Sequence, residues 1–362
     1  MQLLGFKKIR QEGAGVWTET DFKGIISLNY QLRTAHRVLI HLSTFPARNP
    51  QMLYDKSLTM PWENYLRQDR SFSISASVKT ESIRDFRYAS MKLKDAIVDR
   101  FRSSTGKRPD SNNKFEEAAI FLYWKDNNCT VYLDTSGVSL HKRGYRMESG
   151  LAPMQETLAA GLVLASKWKP DTLFINPMCG AGTLAIEAAM ISANIPPGSI
   201  RKNWAFKHLP QYDYKLLRQV KKEIVSTELS SDGPLIYASD HNRKILAFAR
   251  QNAQRMGVDK YINFTLNDFK ESEISPDEGL VILNPEYGER TGDEEELLAV
   301  YRDIGDFFKQ KCNGKTGAIF STSKTLLKAV GLRAKSRLEF FTGPLNAKFH
   351  LYDLYAGTLK KK

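Results

Sequence analysis

The chain has 362 residues, 42% of them hydrophobic, and its 53 Lys and Arg outweigh 40 Asp and Glu to give a formal net charge of +13. That is enough for two or three domains with real cores. Three cysteines (Cys129, Cys179 and Cys312), with no CxxC and no regular spacing, support neither a disulfide framework nor a zinc site. Met1–Arg10 lacks a signal-peptide apolar stretch, and the apolar run Ala181–Ile195 carries Glu187 and is too short to span a bilayer. A soluble, cytoplasmic protein in a reducing compartment is expected, with no membrane and no metal. The charge is uneven: 24 basic and 16 acidic residues in 1–150, 16 and 20 in 151–300, 13 and 4 in 301–362. A polyanion gripped outside a site of different chemistry would need this pattern, and so would a merely solvated basic surface.

In chain order, residues 1–50 read as mixed, with a weak strand at Gly24–Leu28, a helical Tyr30–Leu39 and no strong helix. Ser71–Val78 alternates, Phe72, Ile74, Ala76 and Val78 on one side and serines on the other, which predicts a half-buried strand. "SIRDFRYASMKLKDAIVDRF" repeats Ala89, Leu93, Ile97 and Phe101 every four residues, an amphipathic helix. Arg87, Lys92, Lys94 and Arg100 occupy its other faces, with Arg84 just ahead and Lys79 nearby. A polyanion is the expected contact of this basic helix, a solvated face its alternative. Ala118–Trp124, the turn "KDNN" and Thr130–Asp134 predict a hairpin.

Gly144–Pro153 is turn-rich and reads as a hinge. Beyond it strands and helices alternate: helix Met154–Trp168, strand Thr172–Asn176, helix Thr183–Ala193, a long polar insertion (195–233), strand Leu235–Ser239, helix Arg243–Met256, strand Ile262–Leu266, strand Leu280–Leu283, helix Glu294–Lys311 and strand Gly317–Ser321. Phe340–Phe341 and Phe349–Tyr355 would close the sheet as an antiparallel pair. This is the α/β pattern of a doubly wound, mainly parallel sheet with helices on both faces.

Four strand ends carry chemistry. "NPMCGAGT" brings Gly180 and Gly182 to a helix start, where a ligand can approach backbone. It is not the dinucleotide GxGxxG, because Leu184 and Ala185 stand where the third glycine would, and no Gly-Lys-Ser/Thr makes it a phosphate loop. A tight strand-to-helix turn is the alternative. Asp240, ending "YASD", can accept both hydroxyls of a ribose or cap the next helix. Asp268, ending "LND", can accept from an adenine amino group or form a turn. In "VILNPEYGER", Asn284 supplies a carbonyl acceptor, Pro285 holds its own carbonyl outward and Tyr287 offers a stacking ring. Two carbonyls taking the hydrogens of an exocyclic amine would free its lone pair for attack. With an adenosyl ligand this implies methyl transfer from S-adenosylmethionine to a base nitrogen, by orientation and hydrogen bonding. Cys179 is expected to pack in the loop, not to act as a nucleophile.

These stretches resemble the class I methyltransferases that modify amino groups of bases. "SIRDFRYASMKLKDAIVDRF", "LDTSGVSLHKRGYR" and "APMQETLAAGLV" are similar to one family in particular. That family is the bacterial 23S rRNA guanine-N2 methyltransferase of the RlmL type, whose N-terminal half joins a THUMP RNA-binding domain to a methyltransferase domain. The resemblance implies a partial ferredoxin-like subdomain over 1–50, THUMP over 51–145 and a Rossmann-like, seven-stranded S-adenosylmethionine-dependent domain over 146–362. It puts Asn176, Cys179, Gly180, Gly182, Asp240 and Asp268 on cofactor-loop positions, and Glu156 and Thr157 on the helix beside the cofactor. Asn284, Pro285 and Tyr287 fall on the base-handling motif, and the THUMP helix faces RNA, here 23S rRNA of a large-subunit precursor. The chain departs from the family in lacking the usual opening helix, in ending before the second methyltransferase of some members, and at Glu286, where a second proline is usual. Glu286 could accept from guanine N1–H while facing the bare N1 of adenine unfavourably. The implied alternatives are a THUMP-type tRNA guanine-N2 methyltransferase, and an RNA-binding protein whose transferase site is impaired.

Overall fold

The computed structural model describes residues 1–13, 15–83, 85–146, 154–224, 235–286, 294–342 and 345–356. Its elements begin with β1 (Arg10–Glu12), β2 (Gly15–Trp17), α1 (Phe22–Gln31), β3 (Leu39–Pro46), α2 (Pro50–Leu58), β4 (Phe72–Lys79), α3 (Phe86–Thr105), β5 (Ala118–Lys125) and β6 (Asn128–Asp134). Then come α4 (Glu156–Ala165), β7 (Leu173–Asn176), α5 (Thr183–Ser192), α6 (Tyr214–Glu223), β8 (Ile236–Asp240), α7 (Arg243–Met256) and β9 (Ile262–Leu266). The chain continues through β10 (Gly279–Leu283), α8 (Glu294–Lys311), β11 (Thr316–Ser321), α9 (Lys324–Ala329), β12 (Ser336–Thr342) and β13 (Leu345–Asp353). Two units result. One is Met1–Lys142 with Pro196–Val225; the other is Arg143–Ile195 with Ser226–Lys362.

The first unit carries a four-stranded sheet in the order β3-β6-β5-β4, with only the β4–β5 pair parallel. The four-residue apolar repeat of α3 does what its spacing dictates: Ala89, Leu93, Ile97 and Phe101 are all buried in the unit's core. Residues 22–31 correct the sequence expectation. They form a helix, not a strand followed by a later helix, and β3 begins where that later helix should end. The adjacent β-branched Ile25 and Ile26 suggest a strand, but such propensity is weak against capping and packing. The Asp21 carboxylate accepts from Gly24 N at 2.8 Å, and Ile26, Asn29 and Tyr30 fall on one buried helical stripe. Asn29 then donates to Thr135 Oγ1 at 2.8 Å and accepts from Ser136 Oγ at 2.7 Å.

The polar insertion is the second correction. Residues 146–362 were expected as one domain, yet Pro196–Val225 belongs to the first unit. Trp204, Phe206, Leu209 and Val220 enter that unit's core. Arg201 donates to the Ser136 and Ser139 carbonyls at 2.8 and 3.2 Å, and Gly198 N to Tyr30 O at 3.0 Å. Gly198 lies so close that a Cβ there would sit 2.8 Å from the Trp204 ring. A stretch with 7 basic and 2 acidic residues reads as a loop in one dimension, because the few apolar side chains that anchor it are widely spaced.

The second unit is a seven-stranded sheet ordered β12-β13-β11-β10-β7-β8-β9, parallel except where β13 runs antiparallel to β11 and β12. Central strands buried on both faces must be apolar throughout, and Leu173–Asn176 are all buried. Alternate residues divide between the faces. Ile175, Val281, Leu283 and Ile319 share a core with Tyr301, Ile304 and Phe308 of α8. The reverse side is covered by α5 and α7, and α5 is buried at every residue from Thr183 to Met190. Order reverses at β7: the chain first moves outward to β8 and β9, then returns to place β10 on β7's other side. Ligands of open α/β sheets bind at the carboxyl ends of strands at such a reversal.

Candidate active site

Hydrogen bonds tie the four strand ends into one edge. Asn176 at the end of β7 donates from Nδ2 to Ile282 O of β10 at 2.9 Å. The loop after β7 reaches the end of β8 twice: Cys179 N donates to Ser239 O at 2.9 Å, and Gly180 N to the Asp240 carboxylate at 3.0 Å. Past the end of β9, Asn267 N donates to Asp240 O at 3.2 Å.

The two loop glycines serve different ends. Gly182 has φ +82° and caps α5, and a Cβ on it would meet Ala249 Cβ of α7 at 3.0 Å. Gly180 has φ +54°, and a Cβ there would meet nothing within 4 Å. The backbone is thus bare and open at Gly180, where a ligand could approach, and tightly packed at Gly182. Asn252 holds the loop between them by donating to Ala181 O at 3.1 Å. Cys179 is buried, and burial, then the Asp240 carboxylate, push its thiol well above the usual range. Such a thiol is no nucleophile.

Asp240 does not cap the following helix. That task falls to Asn242, whose side chain accepts from Lys244 N and Ile245 N. Asp240 instead accepts from Gly180 N and from Asn242 N at 2.9 Å, and so fixes the glycine loop against β8. Asp268 does act as a local cap, accepting from Lys270 N at 3.0 Å. At the fourth end Pro285 is buried and Glu286 is exposed. Tyr287 lies outside the described residues.

Two carbonyl oxygens on this edge are buried and have no partner among the described residues: Asn176 Oδ1 and Asn284 Oδ1. A buried acceptor left unmade costs about 1–3 kcal/mol. A ligand bearing N–H groups would supply what they lack, and a ligand with the donor groups of an adenosyl amino acid and an aminated base fits that need.

Sequence reasoning missed the braces behind the loop. Arg146 donates to Glu156 Oε1 at 3.1 Å, Thr183 Oγ1 at 3.0 Å and Met154 O at 2.7 Å, joining the starts of α4 and α5. Beside it Arg143 pairs with Glu187 at 3.3 Å, both almost fully buried, and Tyr145 donates to the same carboxylate at 3.5 Å. Glu187 was the available signal, since an acid inside an apolar helix must find a partner. Thr157 is buried beside Glu156 at the start of α4.

In the first unit, Arg87 is paired with Asp85 at 2.8 Å, and Lys92 lies 5.9 Å from the Tyr54 and Tyr88 ring centroids. Lys92 also lines a cleft of about 500 Å³ with Asp95 and Asp99. Lys94 and the exposed Lys79 make no ion pair among the described residues. Lys92 and Lys94 are two residues apart, about 200° around the helix axis, so they look out on opposite flanks. Arg84 lies outside the described residues. Among the described residues no group of three or more His, Cys, Asp or Glu could hold a metal, and no helix is long and apolar enough to cross a membrane.

Sheet order, glycine loop and polar strand ends together define the fold of an S-adenosylmethionine-dependent methyltransferase. Comparison with known proteins agrees. The family described as "RMKL-like, methyltransferase domain" matches residues 143–349, a THUMP domain matches 47–134, and an RlmL ferredoxin-like domain matches 1–39. The chain belongs to the RMKL-like methyltransferase family. It is 36% identical, over 97% of its length, to ribosomal RNA large subunit methyltransferase K/L of Psychromonas ingrahamii, but covers 47% of that protein. The chain therefore spans about half the length of this relative and of the other K/L methyltransferases it matches. A crystal structure of a Clostridium difficile protein described as a methylase is 30% identical, with a TM-score of 0.87 over 100% of this chain and 94% of the other. A second structure, of a methyltransferase complexed with S-adenosylhomocysteine, is 27% identical, with a TM-score of 0.84 over 99% and 94%.

Proposed function

We propose that this protein methylates the exocyclic N2 of a guanine in 23S rRNA, in the cytoplasm, with S-adenosylmethionine as donor. The observation that carries the reading is the buried Oδ1 of Asn284 at the end of β10, without a partner among the described residues and on the same edge as Gly180 and Asp240. The donor supplies a methyl group on a sulfonium. Gly180 would give it bare backbone, Asp240 the ribose acceptor, Asn176 a second carbonyl, Asp268 an acceptor on the base side, with Glu156 and Thr157 beside it. Gly182 and Cys179 hold the loop in shape.

Asn284 Oδ1 and the Pro285 carbonyl would take the two amine hydrogens, and Tyr287 would hold the base plane. Accepting those hydrogens draws the nitrogen lone pair out of conjugation with the ring and aims it at the methyl. S-adenosylmethionine would supply an electrophilic methyl for the oriented amine and keep the C–S electron pair as its leaving group, and the amine would release one N–H proton to solvent. Glu286, being exposed, could accept from guanine N1–H and disfavour adenine. In the THUMP domain, Lys79, Arg84, Arg87, Lys92 and Lys94 would meet the RNA. Arg87 must leave Asp85 to do so, which costs little because solvent screens an exposed pair.

Mass spectrometry of nucleosides from rRNA and tRNA tests this, using cells with and without the gene. Loss of N2-methylguanosine from large-subunit rRNA alone is expected. Loss from tRNA alone, loss of N6-methyladenosine, or no change would each refute the assignment.

A further inference from the structure

The insertion brings a second basic helix into the first unit. Along α6, Leu216 and Leu217 are half-buried and Val220 is buried against the core. Lys215, Arg218 and Lys222 are exposed, and their i, i+3, i+7 spacing puts them in one row on the outer side. Tyr214, 58% exposed, stands at the head of that row. None of the three cations makes an ion pair among the described residues. Among the described residues, the two acids on and beside the helix are already engaged. Asp213 caps the helix by accepting from Lys215 N at 2.8 Å, and Glu223 pairs with Lys23 at 2.6 Å.

Neighbouring cations add to the charge instead of relieving it. Lys221 lies 5.7 Å from the Tyr30 ring centroid, and burial, then Lys221, push the Lys207 ammonium below its ordinary value. Holding like charges together without acids costs stability, which a solvated face of mixed sign would avoid. The row runs about 10 Å along the helix, the shape of a stretch of polyanion backbone rather than of a single anion.

We propose that the outer face of α6 is a second RNA-binding surface of this protein, in which Lys215, Arg218 and Lys222 meet consecutive backbone phosphates and Tyr214 meets an unpaired base. The inference rests on the RNA substrate proposed above. It assigns substrate binding to a segment that interrupts the methyltransferase part of the sequence.

The test is the charge reversal Lys215→Glu/Arg218→Glu/Lys222→Glu, with protein-free large-subunit rRNA as probe. RNA affinity should fall about 10- to 100-fold, and the slope of log affinity against log salt should shrink by about 2 to 3. S-adenosylmethionine affinity and melting temperature should stay at the parent's values, and Lys215→Arg/Lys222→Arg should bind RNA like the parent. If melting changes, the neutral Lys215→Gln/Arg218→Gln/Lys222→Gln variant decides, with a loss of at least about 5-fold expected. Parent-like RNA affinity and salt slope in the folded variant would overturn the inference. So would binding of the parent to phosphatidylglycerol vesicles through this row with RNA affinity unaltered by the substitutions. A parent that binds no rRNA at all would instead refute the proposed substrate.

Discussion

Along α3, Arg87 is held by Asp85, Arg100 by Glu63 and Arg102 by Asp99, whereas along α6 Lys215, Arg218 and Lys222 have no acid to hold them among the described residues. The two helices belong to one unit and carry five and four cations. What differs is the origin of the acids. Asp85 and Asp99 are local, but Glu63 arrives from a turn 37 residues before its partner. A count of Lys and Arg measures total charge. Binding a polyanion depends on the charge left over after the fold has paired what it can, and only the fold decides that.

The largest effect expected of any single change concerns a pair with no water to fall back on. Glu187→Ala removes the carboxylate that pairs with the buried Arg143, and should lower stability by about 3–5 kcal/mol in denaturant unfolding. Glu63→Ala, which frees the partly exposed Arg100, should cost far less, because solvent screens that pair. Equal costs would mean that the Arg143 pair is solvated and that burial does not separate the two classes of ion pair. Next comes Asp240→Ala, which removes the acceptor of Gly180 N together with the proposed ribose contact. S-adenosylmethionine affinity should drop about 100-fold by calorimetry while RNA affinity stays unchanged. A fall in both would show that the edge and the basic surfaces are not separate functions.

Smaller still is the effect of Lys92→Glu/Lys94→Glu on α3, expected at about 3- to 10-fold in RNA affinity, below the α6 triple reversal. Because the two lysines occupy opposite flanks, their single effects should add, and strong coupling would contradict that placement. The smallest concerns pH. Burial, then Arg337 and Lys348, hold the His350 imidazole on β13 below its ordinary value of 6.5. The unfolded chain therefore takes up this proton first as pH falls. The contribution is complete above about 6.5 and declines as pH drops through the folded value. His350→Gln should flatten that decline in melting temperature, and an unchanged slope would assign it to other groups.

The catalytic edge was far more legible in the sequence than the basic surface. Strand ends, glycine loop and caps are local features: strands β7 to β11 are each short apolar runs, with helices between all of them but β9 and β10, and the reversal at β7 then follows from right-handed connections. Even there, the choice between capping and ligand contact needed coordinates, since Asn242 rather than Asp240 caps α7. α1 was missed because Ile25 and Ile26 mimic a strand while the deciding contacts, Asn29 with Thr135 and Ser136, lie more than a hundred residues away. The excursion 196–225 was missed for the same reason, its anchors being Trp204 and Phe206 in a core built by other segments. Arg146 was hidden inside a turn-rich stretch, and its partners Glu156 and Thr183 meet only after α4 and α5 pack.

The most direct test is single-turnover methyl transfer to unmethylated 23S rRNA by the parent and by Asn284→Ala, with S-adenosylmethionine affinity measured alongside. The parent should form N2-methylguanosine. The variant should be slower by about 10²–10³-fold with donor affinity within about 2-fold of the parent, since only the amine acceptor is gone. A variant as fast as the parent, or a parent that methylates another atom, would contradict the role assigned to the Asn284 carbonyl.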